Sequence, residues 1–144
     1  MADIDLVGRI VVGIDGSEAS KDALRWAVRQ AKLTGAPIEA VMAWEFPAYY
    51  GWAPADDFDL AEVSRDALRA AVDDALGVER TAQVRQVVAE GNPARVLIDA
   101  AKDASLLVVG SRGHGGFAGA LLGSVSQHCA QHAPCPVVVV RHTA

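Results

Sequence analysis

The stretch VVGSRGHGGFAGALLGSVS, residues 108–126, leaves an apolar run and then places six of the chain's 13 glycines between Gly110 and Gly123. Each glycine gives up much backbone entropy on folding, so a cluster of them needs a reason. Three readings compete: a floppy linker, a set of tight turns, or a loop that wraps an anion. The flanks narrow the choice. Leu106 to Val109 is a short, apolar, β-branched run, which reads as a strand. Residues 124–132, SVSQHCAQH, read as a helix that stops before Pro134 and Pro136. The stretch therefore joins a core strand to a packed helix, and the linker reading falls away. Tight turns use one or two glycines over a few residues. The turn reading stays open beside the anion reading.

Working outward, strands and helices alternate along the chain. Arg9 to Asp15 reads as a buried strand that feeds the turn Asp15-Gly16-Ser17. From Ser17 to Leu33, apolar Ala23, Leu24, Ala27, Val28 and Ala31 recur at helical steps, with Ser17 as N-cap and Gly35 as stop. Pro37 to Trp44 is a second strand. A loop follows, then a helix from about Asp56 to Leu76, ended by Gly77. Thr81 to Ala89 carries a third strand. Asn92-Pro93 opens a helix that runs to about Lys102, with Asn92 as cap. Leu106–Val109 and Val137–Val140 are the fourth and fifth strands. Strands that are nearly all apolar and alternate with helices predict a parallel sheet covered on both faces. Residues 1–144 read as one domain.

Composition sets the outer limits. The net charge is -5, with 51% hydrophobic and 22% charged residues. That balance argues against nucleic acid or an anionic membrane as the main partner. No run of about 18 apolar residues predicts a membrane span. The N-terminus lacks the basic start and longer apolar run of a secretory signal. Cys129 and Cys135 give no disulfide framework, and the expected location is cytoplasmic.

An anion reading gains from position. Ligands of an open parallel sheet sit beyond the carboxyl ends of the strands, where strand order reverses. A glycine-rich loop there exposes backbone N–H groups, and the next helix adds its positive end. Gly110 and Gly113 allow close backbone approach. Ser124 can cap the helix and offer a hydroxyl, Ser126 can offer another, and Arg112 is the loop's one cation. The loop is not a Walker motif, because no lysine precedes Ser124, and GIDGSEAS is not a dinucleotide fingerprint.

The spacing from Gly110 is Gly, two residues, Gly113, nine residues, then Gly123-Ser124. That spacing resembles the ATP-binding signature of the universal stress protein family. VVGIDGS, residues 11–17, and CPVVVVR, residues 135–141, resemble that family's first and last strands. The resemblance covers nearly the whole chain. It implies an open, Rossmann-like five-stranded parallel sheet of order 3-2-1-4-5, like the adenine nucleotide alpha hydrolases. It implies a regulatory module that binds ATP with Mg²⁺, or cyclic AMP as some relatives do. Gly13, Ile14 and Asp15 would contact the adenosine half, with Ala43 against adenine. Val109, Gly110, Arg112, Gly113, Gly123, Ser124 and Val125 would surround ribose and phosphates, with Ser126 beside them. It also implies a homodimer through residues 137–141. An enzyme is the rival reading, but one carboxylate and one cation are enough to bind and thin for phosphoryl transfer.

Other features have plainer readings. Asp15 could simply cap the turn or the first helix. His128 and His132 stand at i and i+4 beside Cys129, a spacing like that of metal ligands. Zinc normally takes three or four ligands, and no acidic residue lies on that helix, so the pair reads as helix surface. His114 reads as either a phosphate contact or a solvated side chain. The aromatic run from Trp44 to Phe58 reads as a long loop folded on the sheet edge or on a partner chain rather than as an adenine platform.

Overall fold

Ile10, Val11, Val12 and Gly13 are all buried, as a strand covered on both faces must be. They form β1 (Ile10–Gly13) at the centre of a single parallel sheet. The other strands are β2 (Ile38–Trp44), β3 (Val84–Glu90), β4 (Leu106–Gly110) and β5 (Val137–Val140), in the order β3-β2-β1-β4-β5. The strands agree with the sequence reading to within two residues, except that β3 begins at Val84 rather than Thr81. The computed structural model describes residues 8–45, 59–77, 83–111 and 123–142.

Alternate strand residues point to opposite faces, and two apolar clusters result. On one face Ile10, Val12, Met42 and Val108 pack against Leu24 and Val28 of α1 (Glu18–Thr34) and Leu68 and Val72 of α2 (Leu60–Leu76). On the other, Val11, Val41, Leu107 and Val109 meet Leu97 of α3 (Pro93–Ala100) and Cys129 of α4 (Ser124–His132). Each fully buried Leu or Val contributes about 1.5–3 kcal/mol relative to exposure. The division follows from handedness. Right-handed crossovers from β1 through β3 put α1 and α2 on one face, and the reversed direction from β3 to β5 puts α3 and α4 on the other.

The helix ends follow local chemistry. Ser17 caps α1 by accepting the Ser20 N–H, and Gly35 closes it at φ 78°. Asn92 caps α3, with Pro93 in the first turn. Helix α2 begins at Leu60 rather than near Asp56, because the Asp59 carboxylate accepts the N–H groups of Ala61 and Glu62. Helix α3 ends at Ala100 rather than Lys102, and the chain turns through Asp103 at φ 66°. Strand β2 also buries a charge that hydrophobic patterning does not anticipate. Glu39 is buried, and its carboxylate takes Arg9 at 3.2 Å and Arg85 at 3.4 Å. Arg9 continues to the Ala100 carbonyl, tying β1 to the end of α3.

Candidate functional site

The sheet reverses direction between β1 and β4. Their parallel register, Ile10 beside Leu106 and Val12 beside Val108, makes both strands leave the sheet at the same end. Asp15 after β1 and Gly110 at the end of β4 therefore lie at that same end, and β1 and β4 are neighbours as the resemblance implies.

After β1 the chain makes a tight, hydrogen-bonded turn. Ile14 is buried and donates its N–H to the Val41 carbonyl at 2.9 Å. Asp15 is exposed, and its Oδ1 accepts the Ser17 N–H at 2.9 Å. That is the turn-capping role its residue type suggests. The buried Ser20 hydroxyl reaches back from α1, accepting the Asp15 N–H at 3.3 Å and donating to the Ser17 carbonyl at 2.9 Å. Asp15 is thus held by both its side chain and its backbone. Sequence reasoning did not single out Ser20. The signal was a serine on the apolar face of a helix, three residues beyond the N-cap.

At the end of β4, Gly110 makes room for a helix. A Cβ there would lie 2.7–2.8 Å from the Ala19 backbone and side chain. The close approach anticipated at Gly110 is therefore met by α1. Gly13 works the same way on the opposite face, where a Cβ would meet Leu97 Cδ1 at 2.6 Å. Val109 is buried beside Leu97, and Ala43 and Val125 pack on that same cluster.

The two ends of the glycine loop are pinned together. Gly123 donates its N–H to the Ser111 carbonyl at 2.6 Å. The buried Ser126 hydroxyl donates to the same carbonyl at 3.2 Å and lies 3.1 Å from the Gly123 carbonyl. Ser126 therefore serves the loop base rather than standing open to a ligand. Ser124 does not cap α4 either. It occupies the first helical position and is exposed, and the cap is Gly123, with no side-chain hydrogen bond to the first turn. Arg112, Gly113 and His114 lie outside the described residues, as does the aromatic segment beyond Glu45. Trp44 ends β2, and its carbonyl accepts the Gly91 N–H at 2.7 Å.

Other parts of the molecule offer less chemistry. Burial pushes the Cys129 thiol up to about 11. Cys135 is also raised by burial, against the opposing charge of Arg9. Neither is a poised nucleophile. Among the described residues no three His, Cys, Asp or Glu side chains converge on a metal position, and no helix is long and apolar enough to cross a membrane. A cleft of about 230 Å³ opens at the opposite end of the sheet, between the ends of α1 and α2. Its walls include Val28, Pro37, Ile38 and Val84, and among the described residues Lys32 is the one charge lining it. It lacks the convergent polar groups of the β1–β4 end.

Comparison with known proteins agrees with this geometry. The family model described as the universal stress protein family matches residues 7–141. A universal stress protein of Mycobacterium tuberculosis is 40% identical over 139 residues, which are 91% of this chain and 46% of the relative. The chain thus spans about half the length of the curated relatives it matches. Among solved structures, universal stress protein UspA from Lactobacillus plantarum superposes with a TM-score of 0.74 at 29% identity, covering 94% of this chain and 98% of that one. A universal stress protein in complex with cAMP gives 0.68 at 28% identity, covering 97% and 100%.

Proposed function

This chain belongs to the universal stress protein family, and we propose that it is a cytoplasmic regulatory module that binds ATP at the carboxyl ends of β1 and β4. One observation carries the reading. Helix α1 has its first turn capped by Ser17, whereas the cap of α4 is Gly123, and among the described residues no side chain caps that helix. The N-terminal amides of a helix seek acceptors, and an uncapped N-terminus beside a glycine loop suits phosphate. Gly123, Ser124 and Val125 supply that end. The family resemblance assigns Arg112 and Gly113, outside the described residues, to the rest of the phosphate wall, and Gly13 to Asp15 with Ala43 to the adenosine half. The exposed Asp15 carboxylate suits a ribose hydroxyl or a Mg²⁺ carried by the nucleotide.

A second reading keeps the site and changes the ligand to cyclic AMP, favoured by the relative solved with cAMP. Calorimetry with ATP, cyclic AMP and GTP separates the two. The expected result is micromolar-order binding of ATP, tighter than GTP. The Gly123→Val variant should lose that binding and still fold, because φ -73° and ψ 166° are open to valine. Absence of heat with every adenine nucleotide would overturn the proposal. Hydrolysis is expected to be far slower than the enzyme median of about 10 per second. The assembly we propose is a homodimer through β5, and the downstream protein partner is a separate matter for pull-down from the native host.

A further inference from the structure

We propose that His128 and His132 form a two-imidazole chelate for a tetragonal divalent ion, Cu(II) or Ni(II), on the outer face of α4. The two residues stand one helical turn apart on one face, and both are exposed. Their ring centroids are 4.6 Å apart, with the planes tilted by 45°.

That separation suits an ion shared by one nitrogen of each ring. A metal–imidazole bond of about 2.0–2.1 Å places each ring centroid about 3.2 Å from the ion. With one nitrogen of each ring on the same ion, centroids 4.6 Å apart would subtend an angle of about 90° at it, the cis angle of a square-planar or octahedral centre. A tetrahedral centre would need the rings about 5.2 Å apart. Two histidines are too few for a closed zinc site, which is why the spacing alone reads as helix surface. They are sufficient for a tetragonal ion that completes its shell with water.

The surroundings favour the same class of ion. Helix α4 carries no carboxylate, so nothing there attracts Mg²⁺ or Ca²⁺. Cys129 lies between the two histidines in sequence but is fully buried in the core. Its buried sulfur does not reach the surface where the two exposed rings stand, so the donors α4 offers there are the ring nitrogens. Bound metal would tie the last two turns of α4 together and stabilise the folded chain by mass action.

The test uses the full chain without an affinity tag, titrated calorimetrically with nickel chloride in a non-coordinating buffer. The expected result is one ion per chain. Either His128→Gln or His132→Gln should weaken binding by tenfold or more, while His114→Gln and His142→Gln leave it unchanged. The copper form should bind more tightly than nickel and show two nitrogen couplings by electron paramagnetic resonance. Both α4 variants replace exposed groups, so their metal-free melting curves should match the parent, which separates lost binding from lost folding. The proposal is overturned if the parent takes up no nickel, if both α4 variants bind as well as the parent, or if the loss follows His114 or His142 instead.

Discussion

A methyl group on Gly110 would stand 2.7 Å from the backbone carbon of Ala19, and one on Gly13 would stand 2.6 Å from Leu97 Cδ1. The distances are alike, but the obstacles differ. Ala19 presents main chain at the start of a packed helix, which moves only if α1 moves. Leu97 presents the tip of a side chain, which can change rotamer. Gly110→Ala should therefore destabilise the protein by about 1–3 kcal/mol, the usual range for overpacking. Gly13→Ala should fall at or below the lower end. Thermal unfolding of the two variants checks the order, and equal losses would show that Leu97 is as fixed as the α1 backbone. The same pair separates packing from ligand binding. Gly110→Ala displaces the start of α1, where Ser17 and Ser20 hold Asp15, so it should also weaken nucleotide binding.

At the scale of the element, the Asp22 carboxylate of α1 helps tie that helix to its neighbours. Asp22 accepts Arg25 at 2.7 Å and meets His142 Nδ1 at 2.6 Å, just beyond the end of β5. Arg25 in turn donates to the Ala75 carbonyl at the end of α2. The hydrogen bond to His142, helped by Arg25, holds the Asp22 carboxyl below its ordinary value of 3.8. A lowered folded-state value means that the carboxylate adds stability above the unfolded value and loses it as pH falls through the folded one. Asp22→Asn should therefore be less stable than the parent at neutral pH. The gap should close as pH drops below about 4. Urea midpoints from pH 7 to pH 3 measure it, and a gap that stays constant to pH 3 would remove Asp22 from the account.

For the molecule as a whole, the decisive surface is the β5 edge. The β4 amides of Leu107 and Ser111 reach the carbonyls of Pro136 and Val140. Alternation along the strand turns Val138 toward β4 as well, so Val137 and Val139 direct their backbone groups outward. The side chains are apolar on both faces. Val138 and Val140 pack with the α1–α2 cluster, and Val137 and Val139 with the α3–α4 cluster. An apolar edge of this kind invites a partner strand. Under the proposed antiparallel pairing of two copies, Val139→Pro removes an outward donor and spares the bonds to β4. Light scattering at tens of micromolar (about the range where a stable dimer persists) should show a dimer for the parent and a monomer for the variant. A monomeric parent would sink the arrangement. A dimeric variant would move the interface to another surface, the segment from Trp44 to Phe58 being the first to test.

The sequence by itself determined the strands, the helices and the caps at Ser17, Gly35 and Asn92, because each depends on periodicity or on a side chain acting within a few residues. The glycine spacing and the end motifs carried the family, and with it the sheet order. What tertiary structure alone decided is how particular groups are used. Ser126 and Ser124 look alike in sequence, yet one is buried against the Ser111 carbonyl and the other is exposed at the first turn of α4. Gly110 has a helix against it because the β1–β4 register sets Ala19 over it. Glu39 is buried in a strand because Arg9, thirty residues earlier, supplies its counter-charge. These assignments rest on contacts between segments far apart in the chain, and no local pattern of residues encodes which distant atom will fill a given space.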